Sequence, residues 1–407
     1  MSDIQAYGTT RRTFFTGNNN TLRKHVCPPE FEGGPMDPVP PDRVFNLNLM
    51  HRFDLPLPGN VAAMVGDDEL PMWIIRNDDA EPRESFPSPL LRMVQGEVIH
   101  AVVHTSKDTH TIHWHGIEPT PMNDGVGKHS FEIHGELDLG FTYQFQANEA
   151  GTYFYHCHKN TTLHFEMGLY GGLIIDPPAP EGSGLTAPYV TGGPGFVAGK
   201  LRAEDSTELL RYDIEKIWVV DDMDSSWHLP EPHHNHNMQD CDAANPAAPS
   251  TFYRYGDATS DGEFELNDFQ QDIFVVSGVV MNVGSGPPFV GTIDAPSVRI
   301  NAAVGQTVLL RYVNASYTIQ ELILPVDATV IAWDGHPLGV GGFHRFSRPY
   351  VVAAGTPIQT TSARRMDIII NPGQPVNGIA HIRYYQWIKG VPDGFVGHVQ
   401  IPVTIAG

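Results

Sequence analysis

The chain has 407 residues, room for two or three domains of ordinary size. Its 25 Lys and Arg stand against 47 Asp and Glu, a formal net charge of -22, so nucleic acid and anionic membrane surfaces are repelled, while cationic or neutral partners are favoured. Gly 40 and Pro 34, many short β-branched and aromatic runs, and almost no long apolar pattern of helical period exclude a helix bundle and predict an all-β chain; no apolar run approaches the ~20 residues of a membrane span.

The chain opens with "MSDIQAYGTTRRTFFTGNNN", where Arg11 and Arg12 form a twin-arginine pair. No apolar segment follows, so no export signal is expected. Residues 1–43 read as an irregular arm, since the prolines of "VCPPEFEGGPMDPVPPDR" suit an extended surface segment. A first domain is expected over 44–180, a Pro/Gly-rich linker over 181–204, and a second domain over 205–407 with a histidine-rich insertion at 227–245. The architecture predicted is two Greek-key β-sandwiches.

Within the first domain, "THTIHWHG" and "GTYFYHCH" both read as strands. Side chains alternate along a strand, so His113 and His115 share one face and His156 and His158 share another. If the two strands pair, these four imidazoles converge, and on the opposite side His110 meets Cys157. His164 and Met167 follow in the next turn. A thiolate with imidazoles and a weak thioether is the donor set of a blue-copper electron-transfer site, and four neutral imidazoles suit one or two further coppers. Cys157 is covalently adjacent to His156 and His158, which wires the two sites together. Only three cysteines are present; Cys27 and Cys241 either pair or stay free, so no disulfide framework is expected.

The second half reads as an internal repeat of the first. "SVRINAAVGQTVLLRYV" answers "LLRMVQGEVIHAVV", with Arg299 against Arg92 and Gly305 against Gly96. In the same alignment His110, His113 and His115 become Tyr317, Gln320 and Leu322, while His156, Cys157 and His158 become Arg383, Tyr384 and Tyr385. The second domain is therefore expected to lack copper. The remaining imidazole-rich stretch, "WHLPEPHHNHNMQDC", offers His228, His233, His234 and His236, of which His234 and His236 are expected as metal ligands over the first domain's copper face. His100, His104, His129 and His134 match no motif; His336, His344, His381 and His398 are expected to be structural.

At "HTIHWHG" and "AGTYFYHCH" the chain resembles the multicopper oxidases, the family of laccases, ascorbate oxidase and two-domain copper oxidases. The resemblance implies a cupredoxin fold and a type 1 copper on His110, Cys157, His164 and Met167. It also implies that His113, His115, His156 and His158 give half of the eight histidines of a trinuclear copper cluster. Asp124 in "NDGVG" resembles the family's acidic segment, where it either shapes a turn or relays protons. In one respect the sequence departs from the family. The usual type 1 histidine position, five residues after Cys157, holds Thr162, and the histidine comes seven after; the spacing of His164 and Met167 is similar to the His-x-x-Met ending of small blue copper proteins.

The resemblance implies a copper oxidoreductase that takes single electrons from a reductant and reduces dioxygen to water. The alternatives are a nitrite-reductase-like enzyme with one type 2 copper, and a non-catalytic blue-copper carrier. The reductant is open among phenols, Cu(I), Fe(II) or Mn(II) ions and a protein donor. A homo-oligomer, with a trimer favoured, follows from the resemblance, as does a periplasmic or extracellular setting; the sequence also allows a cytoplasmic one.

Overall fold

A computed structural model describes residues 40–105, 109–126, 130, 132–135, 140–228, 269–284, 286–340, 346–386 and 394–407. Cys27, Cys241, His233, His234 and His236 lie outside the described residues.

The first half folds as β1 (Arg43–Pro56), β2 (Glu69–Asn77), β3 (Ser88–Val94), β4 (Val98–Thr105), β5 (Thr109–His110), β6 (His113–His115), β7 (Ile133–His134), β8 (Phe141–Gln146), β9 (Gly151–His156) and β10 (Tyr170–Asp176). One sheet runs β2-β1-β4-β8 and the facing sheet β3-β10-β9-β6. Strict alternation explains β1, whose Phe45, Leu47 and Leu49 point into the core. The aromatic run of β9 is buried along its whole length, as expected of a strand covered on both faces. Leu47, Trp73, Leu91, Trp114, Tyr155 and Leu173 belong to the core between the sheets.

The second half repeats this plan. Its strands Ile273–Val276, Ile214–Met223, Val308–Asn314 and Arg365–Ile370 are neighbours in the order β2-β1-β4-β8 takes in the first. Ile300–Ala303, Phe395–Ala406, Val376–Tyr385 and Ile319–Ile323 answer β3-β10-β9-β6, with Ile300–Ala303 joined to Phe395–Ala406. The parallel pairs correspond as well: β1 with β4, and Ile214–Met223 with Val308–Asn314. Gly96 and Gly305 both take positive φ, 96° and 86°, in the tight turns between the corresponding strands. The repeat and the two-sandwich, all-β reading therefore describe the fold.

One register differs from the sequence alignment. His113 faces His156 across β6 and β9, whereas Gln320 faces Tyr384. The residue standing where His156 does is thus Tyr384, one position beyond Arg383, because cross-strand pairing sets register and residue counting does not. The place is filled by a hydrogen-bonded core in which the Tyr312 hydroxyl donates to Gln320 Oε1 at 2.6 Å.

The halves meet through an apolar layer in which Leu55, Met72, Phe154 and Tyr170 pack with Val219, Met223, Ile273 and Val313. Beside it lies a buried ion network. Arg92 contacts Asp176 and Glu215, each at 2.6 Å, and Arg311 donates to Glu215 at 2.7 Å and to the Thr152 hydroxyl at 2.9 Å. Between the halves, Gly195–Ala198 pairs with Leu209–Tyr212, and Val197 packs on Leu309, Ile331 and Ile369. No helix among the described residues is long and apolar enough to cross a membrane.

Candidate metal centre

Antiparallel pairing of β6 with β9 sets His113 opposite His156 and His115 opposite Phe154. His113, His115 and His156 bring their ligand nitrogens within 4.8 Å of one another. His158, just past the end of β9, keeps its ring 5.2 Å from that of His113 and 5.7 Å from that of His156. The four imidazoles anticipated from strand parity thus share one face.

Their hydrogen bonds decide which nitrogen is available. His113 Nδ1 lies 2.8 Å from the Asp124 carbonyl oxygen and 3.3 Å from its carboxylate. His156 Nδ1 lies 2.9 Å from the Cys157 carbonyl oxygen. A proton on Nδ1 is required to donate to a carbonyl, so Nε2 presents its lone pair in both rings. Burial, then the Arg365 guanidinium and the neighbouring histidines, pull the His115 imidazole down to about 2. Burial and His113 pull His156 down to about 3. Both rings are neutral at ordinary pH, the form a metal needs.

The other face of the Cys157 segment carries a second donor group. His110, Cys157 and His164 are fully buried, with ligand atoms within 4.8 Å of one another. Cys157 Sγ lies 3.4 Å from His110 Nδ1 and 3.2 Å from His164 Nδ1. The seven-residue spacing works because Asn160 takes a left-handed φ of 47° and starts the short helix Thr161–Glu166, which turns His164 back to the thiol. Thr162 is exposed, and its carbonyl accepts the Tyr317 hydroxyl at 2.6 Å. Met167 is buried in the same cluster as Cys157. Burial pushes the bare Cys157 thiol up to about 12, so an ion that binds there as thiolate must displace its proton. One soft thiolate and two imidazoles this close fit copper by donor type.

Other residues at the site carried no motif in the sequence. His51 Nε2 lies 2.8 Å from His110 Nε2, and its ring stacks on Trp73 at 4.0 Å. Arg365, from the second half, sits over the Phe154 ring at 5.8 Å and fills the space a β-carbon on Gly116 would take. Neither is near the histidine motifs in sequence, so only folding brings them there. His228 packs elsewhere: its Nδ1 meets the Pro71 carbonyl at 2.8 Å, and its Nε2 lies 3.4 Å from Glu166.

Residues 82–180 match the family described as multicopper oxidase. The chain is 42% identical over 101 residues to an L-ascorbate oxidase of Cucumis sativus, covering 23% of this chain and 16% of that protein. It is 39% identical over 99 residues to copper resistance protein A of Pseudomonas syringae pv. tomato, covering 24% and 15%. The chain thus spans about a sixth of the length of the curated relatives it matches. Among solved structures, the blue copper oxidase from Nitrosomonas europaea is similar with a TM-score of 0.54 and 20% identity, over 89% of this chain and 85% of that one. The multicopper oxidase mgLAC gives 0.53 and 19%, over 89% and 86%. At these identities the likeness is one of fold, two cupredoxin-like sandwiches. The similarity to the multicopper oxidases is thus concentrated in residues 82–180, the segment that carries both paired histidine motifs.

Proposed function

We propose that this protein is a copper-dependent oxidoreductase in which one electron at a time enters at His110, Cys157 and His164 and leaves at the histidine face to reduce dioxygen to water. The observation that carries this reading is the pair of donor groups on opposite sides of one peptide segment, His110–Cys157–His164 and His113–His115–His156. Copper, when bound, supplies the one-electron redox couple at each group.

The chain's own part is placement. The helix Thr161–Glu166 orients His164, and burial keeps water from the thiolate. The hydrogen bond from His156 to the Cys157 carbonyl joins the two groups by a route shorter than the backbone alone. Asp124, part-exposed beside His113, is positioned to hold or pass a proton. Met167, buried in the same cluster as Cys157, would supply a weak thioether donor to a copper held by His110, Cys157 and His164, and His158 is the fourth imidazole of the face.

Four imidazoles leave coordination positions open, and the second half brings Arg365 to this face. The remaining donors in this proposal are His234 and His236 or a neighbouring copy in a homotrimer. Changing His233, His234 and His236 together to alanine is then expected to lower copper per chain and oxygen uptake while sparing the blue band.

Copper counting with an absorption spectrum tests the whole reading. About four copper ions per chain and a blue band that Cys157→Ser abolishes are expected of the oxidase. Two would favour a nitrite-reductase-like enzyme, one a carrier, and blue absorption undiminished in Cys157→Ser would remove the thiolate assignment.

A further inference from the structure

His110, Cys157, His164 and Met167 all have 0% exposure. A donor in solution therefore touches none of these four side chains. From His110, one contact leads outward. Its Nδ1 faces Cys157 Sγ at 3.4 Å, while its Nε2 faces His51 Nε2 at 2.8 Å. His51 is only half-buried.

The backbone is shaped to put His51 there. Pairing of β1 with β4 runs from Arg43 to Leu49 and stops, and the β1–β2 ladder slips between Met50 and Phe53. Such an irregularity re-aims a side chain next to a functional site. The His51 ring lies nearly parallel to Trp73, 12° between planes. Trp73 in turn meets the His164 ring edge-on at 5.3 Å and the His110 ring at 6.5 Å. A part-exposed imidazole, a buried indole and the rings of His110 and His164 thus form a continuous π-contact set from solvent to the thiol.

We propose that His51 is the positioning residue through which electrons enter, holding His110 by its outer nitrogen and coupling the buried centre to a donor at the surface. This rests on the reading that copper occupies His110, Cys157 and His164. The donor class is a small one-electron outer-sphere reductant, cationic for preference given the net charge of -22. In each event the donor loses one electron, Cu(II) becomes Cu(I), no bond to His51 forms or breaks, and the proton shared with His110 stays in place.

The test uses the copper-loaded full chain with His51→Ala, His51→Phe and His51→Gln, under exclusion of oxygen, with hexaammineruthenium(II) as the reductant. Bleaching of the blue band gives the entry rate, and a redox titration gives the potential of each variant. We expect His51→Ala and His51→Phe to keep copper and colour but bleach about tenfold more slowly or worse. His51→Gln, which retains a hydrogen-bonding group toward His110, is expected to recover part of that rate. Bleaching within about twofold of wild type in His51→Ala and His51→Phe overturns the proposal, as does slowing fully explained by the measured potential shift. If wild-type protein loaded with copper is not blue, the copper reading itself fails and takes this proposal with it; if it is blue and the variants are fast, only the role of His51 fails.

Discussion

Gly125 lies so close to Ile112 that a β-carbon on it would overlap the Ile112 carbonyl group. Its φ of 71° is also in the left-handed region. The two residues lock the Asp124 segment onto the strand that bears His113, and the hydrogen bond between His113 and the Asp124 carbonyl depends on that contact. Gly125→Ala is expected to cost roughly 2–4 kcal/mol and to reduce copper bound at the histidine face more than at the thiol. Denaturant unfolding and copper analysis check it; a variant with unchanged stability and stoichiometry would show that the contact relaxes freely.

His164 and Thr162 offer a contrast only two residues apart. Because His164 Nδ1 faces Cys157 Sγ and Thr162 is exposed, His164→Ala is expected to bleach or strongly shift the blue band, and Thr162→Ala to leave it in place. The reverse outcome would restore the family's usual spacing.

Arg311 is fully buried and is held by Glu215 at 2.7 Å, with Asp367 at 3.5 Å. Removing it strands buried carboxylates at the junction of the halves, so Arg311→Met is expected to destabilise the protein by about 3–5 kcal/mol. Removing the partner at the same time, Arg311→Met with Glu215→Leu, is expected to recover part of the loss. Equal effects for the single and double variants in urea unfolding would show that the charges are not coupled.

Burial holds the His228 imidazole down to about 4, against about 6.5 in an unfolded chain. Glu166, facing it at 3.4 Å, is pushed well above the usual carboxylate range by its own burial. Below about pH 6.5 the unfolded chain takes up a proton at His228 that the folded one refuses. Its stabilising contribution is therefore complete above that pH and shrinks as pH falls toward 4, by up to roughly 3 kcal/mol. Unfolding of the copper-free protein is expected to show a steeper loss of stability between about pH 7 and pH 4.5 than in His228→Gln. Parallel pH profiles would refute the neutral burial of this ring.

The sequence by itself determined the all-β class, the repeat of two sandwiches and the convergence of His113, His115, His156 and His158, since strand periodicity of two fixes which side chains share a face. It also fixed the candidate thiol, because Cys157 is covalently flanked by two of those histidines. Tertiary structure decided what depends on contacts between distant segments. The helix after Asn160 brought His164 rather than Thr162 to Cys157. Pairing across the second sandwich put Tyr384, not Arg383, opposite Gln320. His51, 59 residues before His110, and Arg365 from the second half reached the centre with no local pattern to announce them, because a bulge and the packing of one sandwich on the other, not periodicity, aimed their side chains.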